Sequence, residues 1–297
     1  MSSTAPTVDP ASAESAPVPT LADLRAQLDQ VDDPLHELLM RRADIVGEVA
    51  RLAAHGNIAF RPGREADILR RLLARHAGGL PRRALPRLWR ELFAATTTMQ
   101  GGFVVAVGAP EPAAAYIACA REHFGALTPL RAHGSPARAI AEVSAGAAAV
   151  AVLPLPQEGE PPAAAWWTTL LHQEEPRLHI AARLPFWAPR PEGAPQVQAL
   201  VVAAAAPDPS GADRTLLGVE LPPEMSRTRL AAAAAAAGLA PVTMILCRDP
   251  GAPVMHGLIE VEGHMEEHDR RLAALADRAA RPLVLGAYAV PLEGDAS

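Results

Sequence analysis

Leu21, Leu24, Leu28, Val31, Leu35, Leu38, Ile45, Val49 and Leu52 recur at helical intervals and define one long amphipathic helix at the start of the chain. The steps alternate between three and four residues, which gives a narrow seam like that of a coiled coil. One slot departs from the pattern: between Leu38 and Ile45 the seam is filled by Arg42. A guanidinium on a helix-packing seam needs an anion, because an unpaired charge away from water is very costly. The stripe alone leaves two readings. Arg42 can reach the surface or a carboxylate of the protein itself, or it can bind an external anion. Arg25 lies beside Leu24 and Leu28, near the same face, and two arginines at one seam suggest a pocket for a small dianion. Pro34 falls inside the stripe; a kink is expected rather than a break capped by Asp32 or Asp33, because the phase persists across it.

The rest of the chain has a distinct rhythm. Helices are expected over about 20–54, 63–77 and 81–100. Arg61-Pro62-Gly63 marks an entry, Gly78-Gly79 a stop and Gly101-Gly102 a hinge. From 103 to 206 strands (103–107, 147–153, 178–184, 197–204) alternate with helices (112–124, 136–145, 163–171), an α/β pattern with Pro-rich loops at 154–163 and 185–196. From 213 to 292 the order is βαββαβ, with strands 215–221, 242–247, 255–262 and 283–290. Its helices are 227–237, capped by Ser226, and 266–279, which predicts a ferredoxin-like sandwich. The expected fold class is therefore multidomain: an all-α three-helix domain at 20–102, an α/β segment at 103–206 and an α+β ferredoxin-like domain at 213–292. Residues 1–19, rich in Ser, Ala, Pro and Thr, and residues 293–297 read as tails.

Net charge is −6 over 297 residues, which argues against a nucleic-acid partner and against an anionic membrane surface. The longest apolar runs, 199–206 and 230–237, are too short to span a bilayer. Cys119 and Cys247 lie far apart, which fits a reducing compartment and supplies no metal motif. A soluble, cytoplasmic protein with no cofactor and no metal is expected. All 27 basic residues are arginine, so any role that lysine commonly plays must here be lost or moved to arginine.

With these residues in view, the first segment resembles the all-helical, type II chorismate mutases. The resemblance rests on Leu24-Arg25, on Asp32 and the Leu-Leu-Met-Arg-Arg run ending at Arg42, on Phe60-Arg61-Pro62-Gly63-Arg64-Glu65 opening the second helix, and on Thr96 and Gln100 one turn apart on the third. It implies an intertwined homodimer acting on chorismate. The rearrangement to prephenate needs no nucleophile, general base or metal. It needs a flexible dianion folded into its reactive chair and charge stabilised on the breaking ether oxygen. By resemblance Arg42 holds one carboxylate, and Arg25 reaches across from the second protomer to hold the other, bidentately where geometry permits. Arg64 and Glu65 line the pocket, with Glu65 on the ring hydroxyl. Gln100 donates to the ether oxygen, and Thr96 supplies a small hydroxyl. Read without the resemblance, Arg64-Glu65 is a charged first helical turn, Thr96 and Gln100 a polar helix end, and Arg41 part of the solvated face.

One departure stands out. The family places a lysine late in the first helix, and that position is Ala53. Arg51 lies about 160° away around an α-helix, so Arg61 from the following loop is the candidate substitute. Losing one such donor costs on the order of 10²–10³ in rate.

The remainder is similar to a degenerate prephenate dehydratase region followed by its regulatory ACT domain. The resemblance rests on 103–110, His123-Phe124-Gly125, 147–160, Asp213-Arg214-Thr215, Glu262-Gly263-His264 and Leu285-Gly286-Ala287-Tyr288. The dehydratase Thr-Arg-Phe is replaced by Gln-Val-Gln-Ala-Leu at 196–200, and Thr228-Arg229-Leu230 falls in a helix of the ACT-like part. The Glu-Asn-Ser expected after the 147 strand has become Pro156-Gln157-Glu158, and the segment is short for a two-lobed cleft. Pro223-Glu224-Met225 and Cys247-Arg248-Asp249-Pro250 replace the usual effector turns. His264 and His268 are expected not to share a helix, and Trp166-Trp167 reads as packing or a partner surface. The expectation is thus a chorismate mutase of the phenylalanine and tyrosine pathway fused to a decayed dehydratase–ACT region. A non-catalytic regulatory protein and a bifunctional mutase–dehydratase are the alternatives.

Overall fold

The computed structural model describes residues 19–52, 60–172, 175–276 and 280–294. Of the tails expected over 1–19 and 293–297, residues 1–18 and 295–297 lie outside the described residues, as does Ala53. The chain divides into two compact units, 1–49 and 50–297.

The first unit is essentially α1 (Leu21–Leu52). Its start is a capping box: Asp23 N donates to Thr20 Oγ1 at 3.2 Å, while the Asp23 carboxylate accepts from Thr20 N at 2.8 Å and Thr20 Oγ1 at 2.6 Å. Those bonds hold the Asp23 carboxyl below its ordinary range. The helix runs uninterrupted through Pro34. No residue of α1 is buried. The apolar stripe lies open, from Leu24 at 44% exposure to Leu52 at 87%. Arg25 is exposed and Arg42 half-buried.

The second unit opens with α2 (Pro62–Ala74) and α3 (Ala84–Met99). Then come β1 (Val105–Gly108), α4 (Ala114–Phe124), β2 (Leu130–His133), α5 (Pro136–Ser144), β3 (Val150–Pro154), β4 (His179–Leu184), β5 (Trp187–Ala188) and β6 (Ala199–Ala203). The chain closes with β7 (Asp213–Leu221), α6 (Arg227–Ala236), β8 (Pro241–Cys247), β9 (Met255–Glu262), α7 (Arg270–Ala276), β10 (Ala280–Ala289) and β11 (Leu292–Glu293). Nine strands form one sheet in the order β2-β1-β3-β6-β4-β10-β7-β9-β8, and β5 pairs with β11. The run β10-β7-β9-β8 is the strand order of a ferredoxin-like βαββαβ unit.

The two halves of the sheet meet where β10 runs parallel to β4 at Gly286↔Ile180. Gly286 has φ +142°, and a Cβ there would stand 2.0 Å from the Ile180 carbonyl oxygen, so glycine is what lets the strands close up. The sequence pattern did not foretell β2, whose Leu-Arg-Ala-His is too polar to read as a strand. The helix expected over 163–171 is instead two 3₁₀ turns, 162–164 and 166–171. Within them Trp166 and Trp167 are buried and donate to the Pro154 carbonyl at 3.0 Å and Glu160 Oε1 at 3.1 Å, so they pack the core. The last helix is shorter than expected, starting at Arg270. His264 and His268 therefore precede it, whereas Thr228-Arg229-Leu230 does lie in the first turn of α6.

Helices α2 and α3 are welded to this sheet. Ala66, Leu69 and Phe93 share a core with Phe186 and Ala289, and Phe60, Phe103 and Phe124 cluster with ring centroids 5.7–6.1 Å apart.

Candidate active site

Helix α2 begins where Arg61-Pro62-Gly63 predicts, with Pro62 at its first position. Arg61, the cap residue, makes no side-chain cap of its own. Asp208, from the loop between β6 and β7, supplies it. Its carboxylate accepts from Gly63 N and Arg64 N, both at 3.1 Å, and from Arg61 Nε at 3.2 Å. An anion at a helix N-terminus meets orphan N–H groups and the positive end of the dipole. Gly63 is required by this approach, because a Cβ there would lie 2.2 Å from the Asp208 carbonyl oxygen. The Arg64 guanidinium turns outward to Asp67, 2.6 Å away. Arg70, further along α2, donates to the carbonyls of Ser210, Ala212 and Val290 at 2.8–2.9 Å, which fastens the helix to the same loop.

One turn into α2, Glu65 meets Arg90 of α3, with Nη1 2.5 Å from Oε2 and side-chain exposures of 8% for Arg90 and 14% for Glu65. Burial pulls the Arg90 guanidinium below its ordinary value, and the charge of Glu65 opposes that shift. The guanidinium also stacks over Phe186, 5.0 Å from the ring centroid. Nearby, His123 of α4 is buried. Burial first, and the positive charge of Arg90 second, push it well below the usual histidine value, so it is neutral at pH 7. A small crevice, of about 10 Å³, is lined by Phe60, Glu65, Phe93, Phe103 and His123. A second, equally small, is lined by Arg90, His123, Arg183 and Phe186.

Thr96 and Gln100 close α3. The buried Thr96 hydroxyl donates back to the carbonyls of Leu92 at 2.9 Å and Phe93 at 3.1 Å. Gln100 caps the helix, is exposed, and donates from Nε2 to the Thr96 carbonyl at 3.2 Å. Burial pushes the Cys119 thiol up to about 12 and raises that of Cys247, so neither is a ready nucleophile.

The expected residues thus fall into groups. The Arg61 side chain and the Arg64 backbone N–H meet at the Asp208 carboxylate while the Arg64 guanidinium turns to Asp67, Glu65 is anchored by Arg90, and Thr96 joins Gln100; Arg25 and Arg42 belong to the first unit. Sequence reasoning missed Arg90 and Asp208, and read His123 only as part of the dehydratase-like His123-Phe124-Gly125. Arg90 carried a usable signal, because Pro86, Arg90, Phe93 and Thr97 form the buried helical stripe of α3, interrupted by an arginine just as the α1 stripe is by Arg42. Asp208 carried none, since its partner lies 145 residues away in sequence.

The bifunctional chorismate mutase/prephenate dehydratase of Pseudomonas aeruginosa is 31% identical over 149 residues, 47% of this chain and 40% of that protein. The match therefore spans well under half of the curated relative's length. Among solved structures, the chain resembles "GqqA- a novel type of quorum quenching acylases" (TM-score 0.48, 19% identity, 64% of this chain and 96% of that one). It also resembles a prephenate dehydratase from Arthrobacter aurescens in complex with L-Phe (TM-score 0.47, 15% identity, 63% and 90%). Residues 24–101, which hold Arg25, Arg42, Arg61, Arg64, Glu65, Thr96 and Gln100, match the family of type II chorismate mutases.

Proposed function

We propose that this protein isomerises chorismate to prephenate, as a homodimer acting in the cytoplasm on the route to phenylalanine and tyrosine. One observation carries the reading: the type II chorismate mutase match runs over 24–101, the stretch that places an arginine in each half of α1, an Arg-Glu pair on α2 and a Thr-Gln pair on α3. The chemistry asks for little beyond such a set. Arg42 and Arg25 grip the two carboxylates of the folded dianion. Glu65, held in place by Arg90, takes the ring hydroxyl. Gln100 donates to the ether oxygen as its charge develops, and Arg61 and Arg64 add positive potential. Thr96 supplies the small hydroxyl of the pocket wall. The homodimer is supported by the open stripe of α1, where Leu28, Val31 and Leu38 are each more than 60% exposed. A second copy of that stripe is a partner of the right length and period. Among the described residues no helix is long and apolar enough to cross a membrane.

Incubation with chorismate tests this reading, following both its loss and phenylpyruvate formation without acid treatment. Loss without phenylpyruvate is the expected result. Phenylpyruvate would instead establish the bifunctional activity, a reading favoured by the name of the Pseudomonas relative. No loss of chorismate overturns the proposal and leaves a binding or regulatory protein. Light scattering of the same sample is expected to give twice the chain mass.

A further inference from the structure

Far from those helices in the sequence, two histidines and a glutamate converge. Glu220 of β7 and His256 of β9 are directly opposite in the antiparallel register, so their side chains stand on one face of the sheet. His172 arrives from above, as the residue that ends the 3₁₀ turn 166–171. A glycine makes its approach possible. Gly218, two residues before Glu220 on the same face, has no side chain, and a Cβ there would fall 2.5 Å from Leu171 Cδ2. Leu171 fills that notch and sets His172 over Glu220, with Nε2 3.8 Å from Oε1. The His172 and His256 rings meet edge to face at 5.9 Å. One ligand atom from each of the three residues lies within 4.8 Å of the others. Among the described residues, His256 Nε2 is buried with no hydrogen-bond partner. That is a buried polar atom on a cluster residue whose bonding capacity is unmet.

We propose that His172, Glu220 and His256 bind one divalent first-row transition ion, Zn²⁺ above all, and that the ion pins the 3₁₀ turn to the sheet. Two imidazoles and a carboxylate are a borderline donor set. It suits Zn²⁺, Co²⁺ or Ni²⁺ and disfavours Mg²⁺ and Ca²⁺, which want oxygen alone. Zn–N and Zn–O bonds of about 2.0–2.2 Å require the three atoms to draw in by a modest side-chain movement. His172, at 51% side-chain exposure, has the freedom to make it. Three protein ligands leave a fourth position for water. Arg281 Nη1, 3.6 Å from Glu220 Oε1, is the competing cation, on an exposed side chain able to swing away.

The test is calorimetric titration of chelator-treated full-length protein with Zn²⁺, with Co²⁺ absorption as a second readout. One equivalent per chain is expected, with a raised Tm and the visible bands of tetrahedral Co²⁺. His172→Ala and Glu220→Gln should each weaken Zn²⁺ by tenfold or more, since even outer-shell changes at metal sites cost about 10–100-fold. Arg281→Ala should tighten it. His172 is exposed and bears on no core, so its variant keeps the measurement clear of folding defects. Zn²⁺ binding that is absent, or equal in wild type and His172→Ala, overturns the proposal. Chorismate turnover has no part in the readout, so this site and the proposed isomerase stand or fall apart.

Discussion

Helices α1 and α3 each carry an arginine in an apolar stripe, and the two meet opposite fates. In α3 the stripe Pro86, Arg90, Phe93, Thr97 is buried, and Arg90 is matched inside the chain by Glu65 at 2.5 Å. In α1 the stripe is longer and more apolar, yet no residue of it is buried. The lesson concerns where each arginine is meant to find its anion. A guanidinium whose counter-charge is built in serves architecture, because the pair neutralises itself and the surrounding rings exclude water. A guanidinium on a helix none of whose residues is buried keeps access to solvent, where a small external anion can reach it. That separates a residue that positions Glu65 from one proposed to grip substrate.

The strongest way to break this contrast is at Arg90. Replacing it with Leu takes the Arg90 cation away from the largely buried Glu65. Removing one partner of a buried ion pair costs about 3–5 kcal/mol. For a unit of this size that lowers Tm by roughly 2–4 °C per kcal/mol. The double change Arg90→Leu with Glu65→Leu should recover most of the loss, since an apolar pair of similar volume does not demand neutralisation. Thermal or urea denaturation of the three variants reads this directly, and a double variant as unstable as the single one would show the pair to be incidental.

Arg42→Ala is the counterpart in α1. Its expected effect falls on turnover, a drop of about 10²–10³ in kcat for chorismate, with stability changed by no more than about 1 kcal/mol. If denaturation instead shifts as much as in Arg90→Leu, Arg42 is an architectural residue too and the contrast fails.

These two stripes also show how far the sequence could be read. Period, Pro62 and Ser226 announced α1, α2 and α6, and Ser226 does accept from Arg229 N, at 3.3 Å. The βαββαβ order likewise announced the β10-β7-β9-β8 sheet. The union of that sheet with β4 was not legible. It depends on the bare backbone of Gly286 against Ile180, and one glycine in a strand pattern has many meanings. Among the site residues, Arg64-Glu65 and Thr96 with Gln100 stood out by type and spacing. Their true neighbours, Arg90 and Asp208, did not, because side-chain pairing across 25 and 145 residues leaves no periodic trace. Arg90 was within reach all the same. The reasoning applied to Arg42 in α1 picks it out once α3's buried face is drawn through Phe93 rather than through its leucines.

Asp208 gives a smaller and more local test. Asp208→Ala strips the N-terminus of α2 of its acceptor and leaves Gly63 N and Arg64 N to water. Loss of a helix cap costs about 0.5–2 kcal/mol. Asp208→Asn should retain much of that stability, since its amide oxygen still accepts from one N–H. The loss should appear first as faster amide exchange in the opening turn of α2, while α1 is unaffected. Equal exchange in wild type and Asp208→Ala would mean that Arg70 and the Phe60 cluster alone hold the helix.

The finest test is the pH dependence that burial imposes beside Arg90. His123 is held neutral in the folded protein, its value pushed well below 6.5 by burial and by the Arg90 charge. The unfolded chain still protonates this imidazole near pH 6.5. Below that pH the unfolded state binds a proton that the folded state refuses, so stability falls as pH falls. The contribution grows by up to about 1.4 kcal/mol per pH unit and levels off at the lower folded value. Above pH 7 both states are neutral and the term vanishes. His123→Gln should therefore flatten the acid limb of the stability curve between pH 6.5 and 5 while shifting it evenly at higher pH. An unchanged acid slope would place a proton on His123 in the fold, and the space beside Arg90 would then be more polar than its aromatic walls imply.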